Sequence, residues 1–122
     1  MKRIALAAAA LVLLAACHTT PEDVVCPAYI AAAINVTAQD SVTGAVITPG
    51  TTVIAREGTY VDSVTAQAPV TSVGVAYEHA GIFSVTVRHP GYATWTKSGI
   101  EVKRGTCNVQ GVALTARLVP NP

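Results

Sequence analysis

Charge is scarce in this chain. Only 12% of its residues are Asp, Glu, Lys or Arg, and once Lys2 and Arg3 are set aside six basic residues face seven acidic ones. A domain that grips nucleic acid needs a basic patch worth several charges. Lys103-Arg104 is a pair rather than a patch, so nucleic acid is set aside as a partner. Aromatic residues are few as well, with one Phe, one Trp and four Tyr. No G-x-S-x-G elbow is present to expose a nucleophilic serine on a sharp turn. No Gly-rich loop offers backbone N–H groups to a phosphate, and no acidic run has the spacing of a calcium loop. No His or Asp cluster has metal-ligand spacing. The expectation is therefore no cofactor and no metal. A helical period sustained over three turns is also missing.

What the chain does have begins at its first residue. Lys2 and Arg3 precede an unbroken apolar run, Ile4 to Ala16, of thirteen residues. A helix of that length falls short of a hydrocarbon core of about 30 Å. A positive start, a short apolar stretch and small residues at its end are the layout of a secretory leader. The run closes on Leu14-Ala15-Ala16-Cys17, which resembles the lipobox of bacterial lipoproteins. The resemblance implies a diacylglycerol on the Cys17 thiol, cleavage just before it, and a further acyl chain such as palmitate on the new amine. It also implies a cell-envelope location. His18, where Asp would mark inner-membrane retention, points to the outer membrane. Acyl chains at about 0.8 kcal/mol per buried CH₂ make such an anchor firm. The membrane is then the first expected partner.

Cleavage would leave 106 residues, enough for one small domain. The expected division is a leader over 1–16, a lipidated tether over 17–29, a folded domain over 30–119 and a tail over 120–122. Within the tether, residues 18–25 are polar, contain Pro21 and have no period until Val24. With Cys17 used by the anchor, Cys26 and Cys107 remain in a compartment where thiols oxidise, and a disulfide between them is expected. Free thiols or a metal site are the alternatives, though a metal would need ligands that the spacing does not supply.

From Ile30 the period is two. Ile30, Ala32, Ile34, Val36 and Ala38 share one face, and the run ends in a turn over Asp40–Gly44. Short β-rich runs follow at Ala45–Thr48, Thr51–Arg56 and Tyr60–Ala66, the last two joined through Glu57-Gly58. An irregular crossing holds Pro69. Val73, Val75 and Tyr77 begin the next run, and Phe83, Val85 and Val87 alternate against Ser84, Thr86 and Arg88. His89-Pro90-Gly91-Tyr92 has the residues of a type II turn, with Pro presetting φ and Gly taking its positive value. Trp95 lies on the following run and reads as the core plug. Ser98-Gly99 reads as a further turn. The final run puts Val112, Leu114, Ala116 and Leu118 on one face. About seven short strands with turns between them favour an all-β fold, an antiparallel β-sandwich.

Asp40, Thr43-Gly44, Gly81-x-Phe83-x-Val85-x-Val87, Pro90-Gly91-Tyr92 and the closing apolar strand together resemble the carboxypeptidase regulatory-like domain, a transthyretin-like (prealbumin-like) sandwich with kinship to Ig-like folds. The resemblance runs from about Ile30 to Leu118. It implies a non-catalytic structural or binding module, with the two ends of the sandwich compatible with a Cys26–Cys107 staple. One enzyme family on that fold, the 5-hydroxyisourate hydrolases, ends in Tyr-Arg-Gly-Ser. This chain ends Leu118-Val119-Pro120-Asn121-Pro122, so that activity does not transfer.

Candidate chemistry is thin. His79 and His89 flank one strand at opposite ends, too far apart to share a metal, and read as solvated turn residues. For acid–base work two carboxylates must face each other, and Asp62 with Glu78 or Glu101 are the candidates, though the spacing reads out no pairing. Tyr60, Tyr77, Tyr92 and Trp95 are the candidate ligand surface. The sequence thus favours a non-enzymatic envelope lipoprotein with a structural or protein-binding role and an envelope protein as a further partner. A carbohydrate- or peptide-binding module is the alternative, and a small periplasmic hydrolase the remote one.

Overall fold

The structure, a computed structural model, describes residues 24–122. The leader, Cys17 and the first part of the tether lie outside the described residues. Seven strands run in the order β1 (Ile34–Asp40), β2 (Thr52–Glu57), β3 (Tyr60–Thr65), β4 (Val73–Val75), β5 (Gly81–Arg88), β6 (Trp95–Val102) and β7 (Val112–Leu118). They form two sheets, β4-β1-β7 and β3-β2-β5-β6.

The alternation in the sequence becomes the inner faces of the two sheets. Ile34, Val36 and Ala38 of β1 and Ala116 and Leu118 of β7 are wholly buried in one. Val53 and Ala55 of β2 and Phe83, Val85 and Val87 of β5 face them from the other. Phe83 is the largest fully buried side chain. It takes the role expected of Trp95, which is half-buried and packs against the margin of the core. The reason lies in register. Trp95 pairs with Val87 at the end of the ladder, whereas Phe83 sits further inside it, paired with Ile100.

Four further expectations change. The sandwich is not antiparallel throughout, because β1 and β7 pair in parallel from Ile34↔Val112 to Asp40↔Leu118. These are the first and last strands, joined by most of the domain and not by a hairpin, so no local turn imposes an antiparallel arrangement. The first strand starts at Ile34 rather than Ile30, and Ile30 is exposed. The segment before it is drawn aside by its own bonds, Ala31 N–H donating to Glu78 Oε2 at 2.6 Å and Ala31 C=O accepting from the Glu78 N–H at 2.9 Å. The run Ala45–Thr48 makes only an isolated bridge, Gln39↔Val46.

Ser98-Gly99 is not a turn but a bulge within β6. Phe83 pairs with Ile100 and Val85 with Lys97, so two residues of β6 stand opposite Ser84. The extra residue shifts the alternation by one. Trp95 and Lys97 then share a face with Ile100 and Val102, and Glu101 turns outward instead of into the core. Gly99 makes this possible with a φ of 71°. The turn at His89–Tyr92 is as its residues require, with Gly91 at φ 83° and the Tyr92 N–H donating to the His89 carbonyl at 3.1 Å.

Cys26 and Cys107 are disulfide-bonded, with Cα atoms 5.2 Å apart, inside the range a bridge requires. The bond fastens the segment ahead of β1 to the connection between β6 and β7.

Candidate functional site

The chemistry-bearing side chains gather at the two ends of the sandwich. At the entry end, where the described chain begins, β1, β5 and β7 start and β2, β4 and β6 finish. At the far end lie the Asp40–Gly44 turn, the His89–Tyr92 turn and Trp95.

Glu78 is the hub of the entry end. It follows β4 with a φ of 56°, as Ala76 does with 57°. Two non-glycine residues in the left-handed region so close together are costly, and a dense set of bonds holds them. The Ala76 N–H donates to Asp62 Oδ2 at 2.8 Å, and the Ala76 carbonyl accepts from Ala33 and His79. The Glu78 carboxylate accepts from Ala31 N–H, from Asn108 Nδ2 at 2.7 Å and from Val109 N–H at 3.3 Å. Asn108 Nδ2 also donates to the Tyr29 carbonyl at 3.0 Å. The side-chain amide of Asn108, followed by the Ala31 N–H, holds the Glu78 carboxyl below its ordinary range. A carboxylate surrounded by donors favours its charged form and is a poor proton acceptor. Asp62 is likewise committed to Ala76, and Glu101 lies on the outward side of β6. The three do not converge.

His79 is not a solvated turn residue. Its Nε2 lies 3.0 Å from Glu57 Oε2, and its ring stacks on Tyr60 with centroids 3.7 Å apart. Phe83 meets both rings edge-on, at 6.4 Å from Tyr60 and 5.8 Å from His79. Burial, then the charge of Asp62, raises the Tyr60 phenol above its ordinary value. Glu57 and His79 form a carboxylate–imidazole pair, yet among the described residues no hydroxyl or thiol is hydrogen-bonded to His79 as a nucleophile would be. Sequence reasoning missed this cluster. Its members come from the ends of β2 and β3 and the loop before β5, and only tertiary packing brings them together.

At the far end the Asp40 carboxylate caps its own turn, accepting from Val42 N–H at 2.7 Å and Thr43 N–H at 2.9 Å. Tyr92 Oη donates to its other oxygen at 2.7 Å. The Thr43 N–H and the Tyr92 hydroxyl, in that order, hold the Asp40 carboxyl low, and the same bond raises the Tyr92 phenol. His89 spans the turn connections, with Nδ1 2.8 Å from the Pro90 carbonyl and Nε2 3.2 Å from that of Pro49. The two histidines thus sit at opposite ends of β5, as their spacing requires. Among the described residues no group of three or more His, Cys, Asp or Glu side chains could hold a metal ion.

The four nominated aromatics do not share one surface. Tyr60 and Tyr77 stand at the entry end, Tyr92 and Trp95 at the far end. Tyr60, Tyr92 and Trp95 are half-buried against the core, and only Tyr77 is exposed. The Tyr77 ring folds back over Gly74, where a Cβ would lie 2.8 Å from its hydroxyl. No protein-family model matches the chain, and no curated protein is similar to it.

Proposed function

We propose that this chain is an envelope lipoprotein, anchored through Cys17, whose disulfide-stapled sandwich serves as a structural or protein-binding module. The observation that carries the reading is the apolar leader ending at Leu14-Ala15-Ala16-Cys17. Cys26 and Cys107 are joined to each other, so the count of three cysteines leaves Cys17 for the lipid. Seven strands in two facing sheets support the resemblance to the carboxypeptidase regulatory-like domain. The described carboxylates Asp40, Asp62 and Glu78 hold backbone and loops in place, which supports a scaffolding role over a catalytic one.

Mass analysis of the mature protein tests the anchor. The expected result is a chain starting at Cys17 that carries diacylglycerol and an amide-linked acyl chain, with processing blocked in Cys17→Ser. An unmodified N-terminus would overturn it. Cross-linking in intact cells should capture a defined envelope protein. A hydrolytic activity abolished by His79→Ala or Asp62→Asn in a protein that still folds would overturn the non-enzymatic reading.

A further inference from the structure

Six exposed apolar side chains lie at the entry end. Val24, Val25, Tyr29, Ile30, Tyr77 and Ile82 are all exposed there, Val25 at 88% and Ile30 at 67%. They come from three separate stretches: the segment before β1, the loop after β4 and the start of β5. Tyr29 and Ile30 are held outward by the structure around them. The Cys26–Cys107 bond, the Asn108 contact to the Tyr29 carbonyl and the paired bonds between Ala31 and Glu78 fix that segment on both sides of Ile30. Both exposed tyrosines are at this end. The far end shows Val42, Val46, Val70 and Val119 on separate loops, without an exposed aromatic ring.

Two cations stand beside these apolar side chains. Lys103 and Arg104 are exposed just past β6 at the same end. Of the acidic groups nearby, Glu78 is surrounded by donors, Glu57 is paired with His79, Asp62 is bonded to Ala76, and Glu101 stands on the outward face beside Ile82. The length of the tether adds a constraint. Six residues separate Cys17 from Val24, a span of at most about 25 Å when fully extended. Aliphatic side chains with tyrosines and flanking cations suit the boundary between acyl chains and headgroups.

We propose that the entry end of the sandwich lies on the bilayer surface, seating Tyr29, Ile30 and Ile82 at the headgroup boundary and directing the far end away from the membrane. The inference rests on the lipidation of Cys17 proposed above. It turns attachment at a single point into a fixed orientation, with the His89–Tyr92 turn and the Asp40–Gly44 turn as the surface offered to a partner.

Amide hydrogen exchange tests it. The lipid-bearing protein, its Cys17 modification verified by mass, is placed in phosphatidylethanolamine–phosphatidylglycerol vesicles and compared with the unlipidated chain 18–122 in solution. Amides of residues 29–31 and 77–82 should exchange severalfold more slowly on vesicles, while residues 41–46 and 89–93 should not change. Ile30→Asp with Ile82→Asp should remove the slowing but keep the lipid, and Val42→Asp should leave it intact. Exchange of the double variant in solution verifies its fold. Slowing at both ends alike, or slowing that rises with protein density on the vesicle, would indicate contact between copies and overturn the orientation. Lipid present without slowing overturns this proposal alone, whereas a missing lipid overturns the anchor reading and this one with it.

Discussion

Thr48 is wholly buried, and its hydroxyl works in two directions. It accepts from the Ala38 N–H of β1 at 3.0 Å and donates to the Thr71 carbonyl in the crossing before β4 at 2.6 Å. Valine has nearly the same shape without the hydroxyl, so Thr48→Val leaves the buried Ala38 N–H without that acceptor and takes a donor from the part-buried Thr71 carbonyl. A loss of about 2 kcal/mol is expected, read as a lower urea midpoint with an unchanged slope. Glu78 acts through charge. Its carboxyl titrates below its ordinary value of 4.5 in the folded protein, as Asp40 does below 3.8. A depressed carboxylate stabilises fully above the unfolded-state value, and that contribution is lost as the pH falls through the folded-state value. Wild type should therefore be more stable than Glu78→Gln near neutral pH. The gap should narrow once the pH falls below about 4, as denaturation series at several pH values would show.

Among the elements, β6 departs most instructively from its sequence. The dipeptide Ser98-Gly99 suits a turn and a bulge equally well, and only the pairing with β5 separates the two. A Cβ at Gly99 would meet nothing within 4 Å, so the cost of Gly99→Ala is conformational, about 1–2 kcal/mol. Gly99→Asn should recover part of it, because Asn tolerates the left-handed region. Thermal unfolding of the two variants side by side checks the ranking. The inner faces of β1, β5 and β7 were legible because each keeps a strict period of two between recognisable turns. The parallel pairing of β1 with β7 was not, since nothing in either strand records which distant strand lies beside it. The Glu57–His79–Tyr60 cluster was hidden for the same reason. Cys26 and Cys107 could be paired by counting, without geometry, once Cys17 was assigned elsewhere.

At the scale of the whole molecule the disulfide matters most, because the domain is small and the bond closes a loop with a sequence separation of 81. Chain entropy for a loop of this size gives about 4–5 kcal/mol, a large share of what a small domain has. Replacing Cys26 and Cys107 together by Ser should lower stability by about 2–5 kcal/mol, read from urea unfolding. It should also free the segment before β1 from the β6–β7 connection, with faster amide exchange at Tyr29 and Ile30 in solution. Comparison with Thr48→Val, which removes bonds at the other end and leaves the disulfide intact, separates global loss from local release.

The same covalent bond decides how the molecule bears a mechanical load. Tension applied between a point before Cys26 and Pro122 passes from Cys26 directly to Cys107 and then along β7. Strands β1 to β6 lie inside the closed ring and carry none of that load along their covalent backbone. Stretching can release only residues 108–122, about 50 Å of chain, by stripping β7 from β1. After reduction the whole domain enters the load path, and the extension available rises to about 300 Å. Single-molecule pulling with and without reductant would show a short step replaced by a long one. A tug that removes β7 thus leaves the other six strands joined as one closed loop, with the parts for refolding held together.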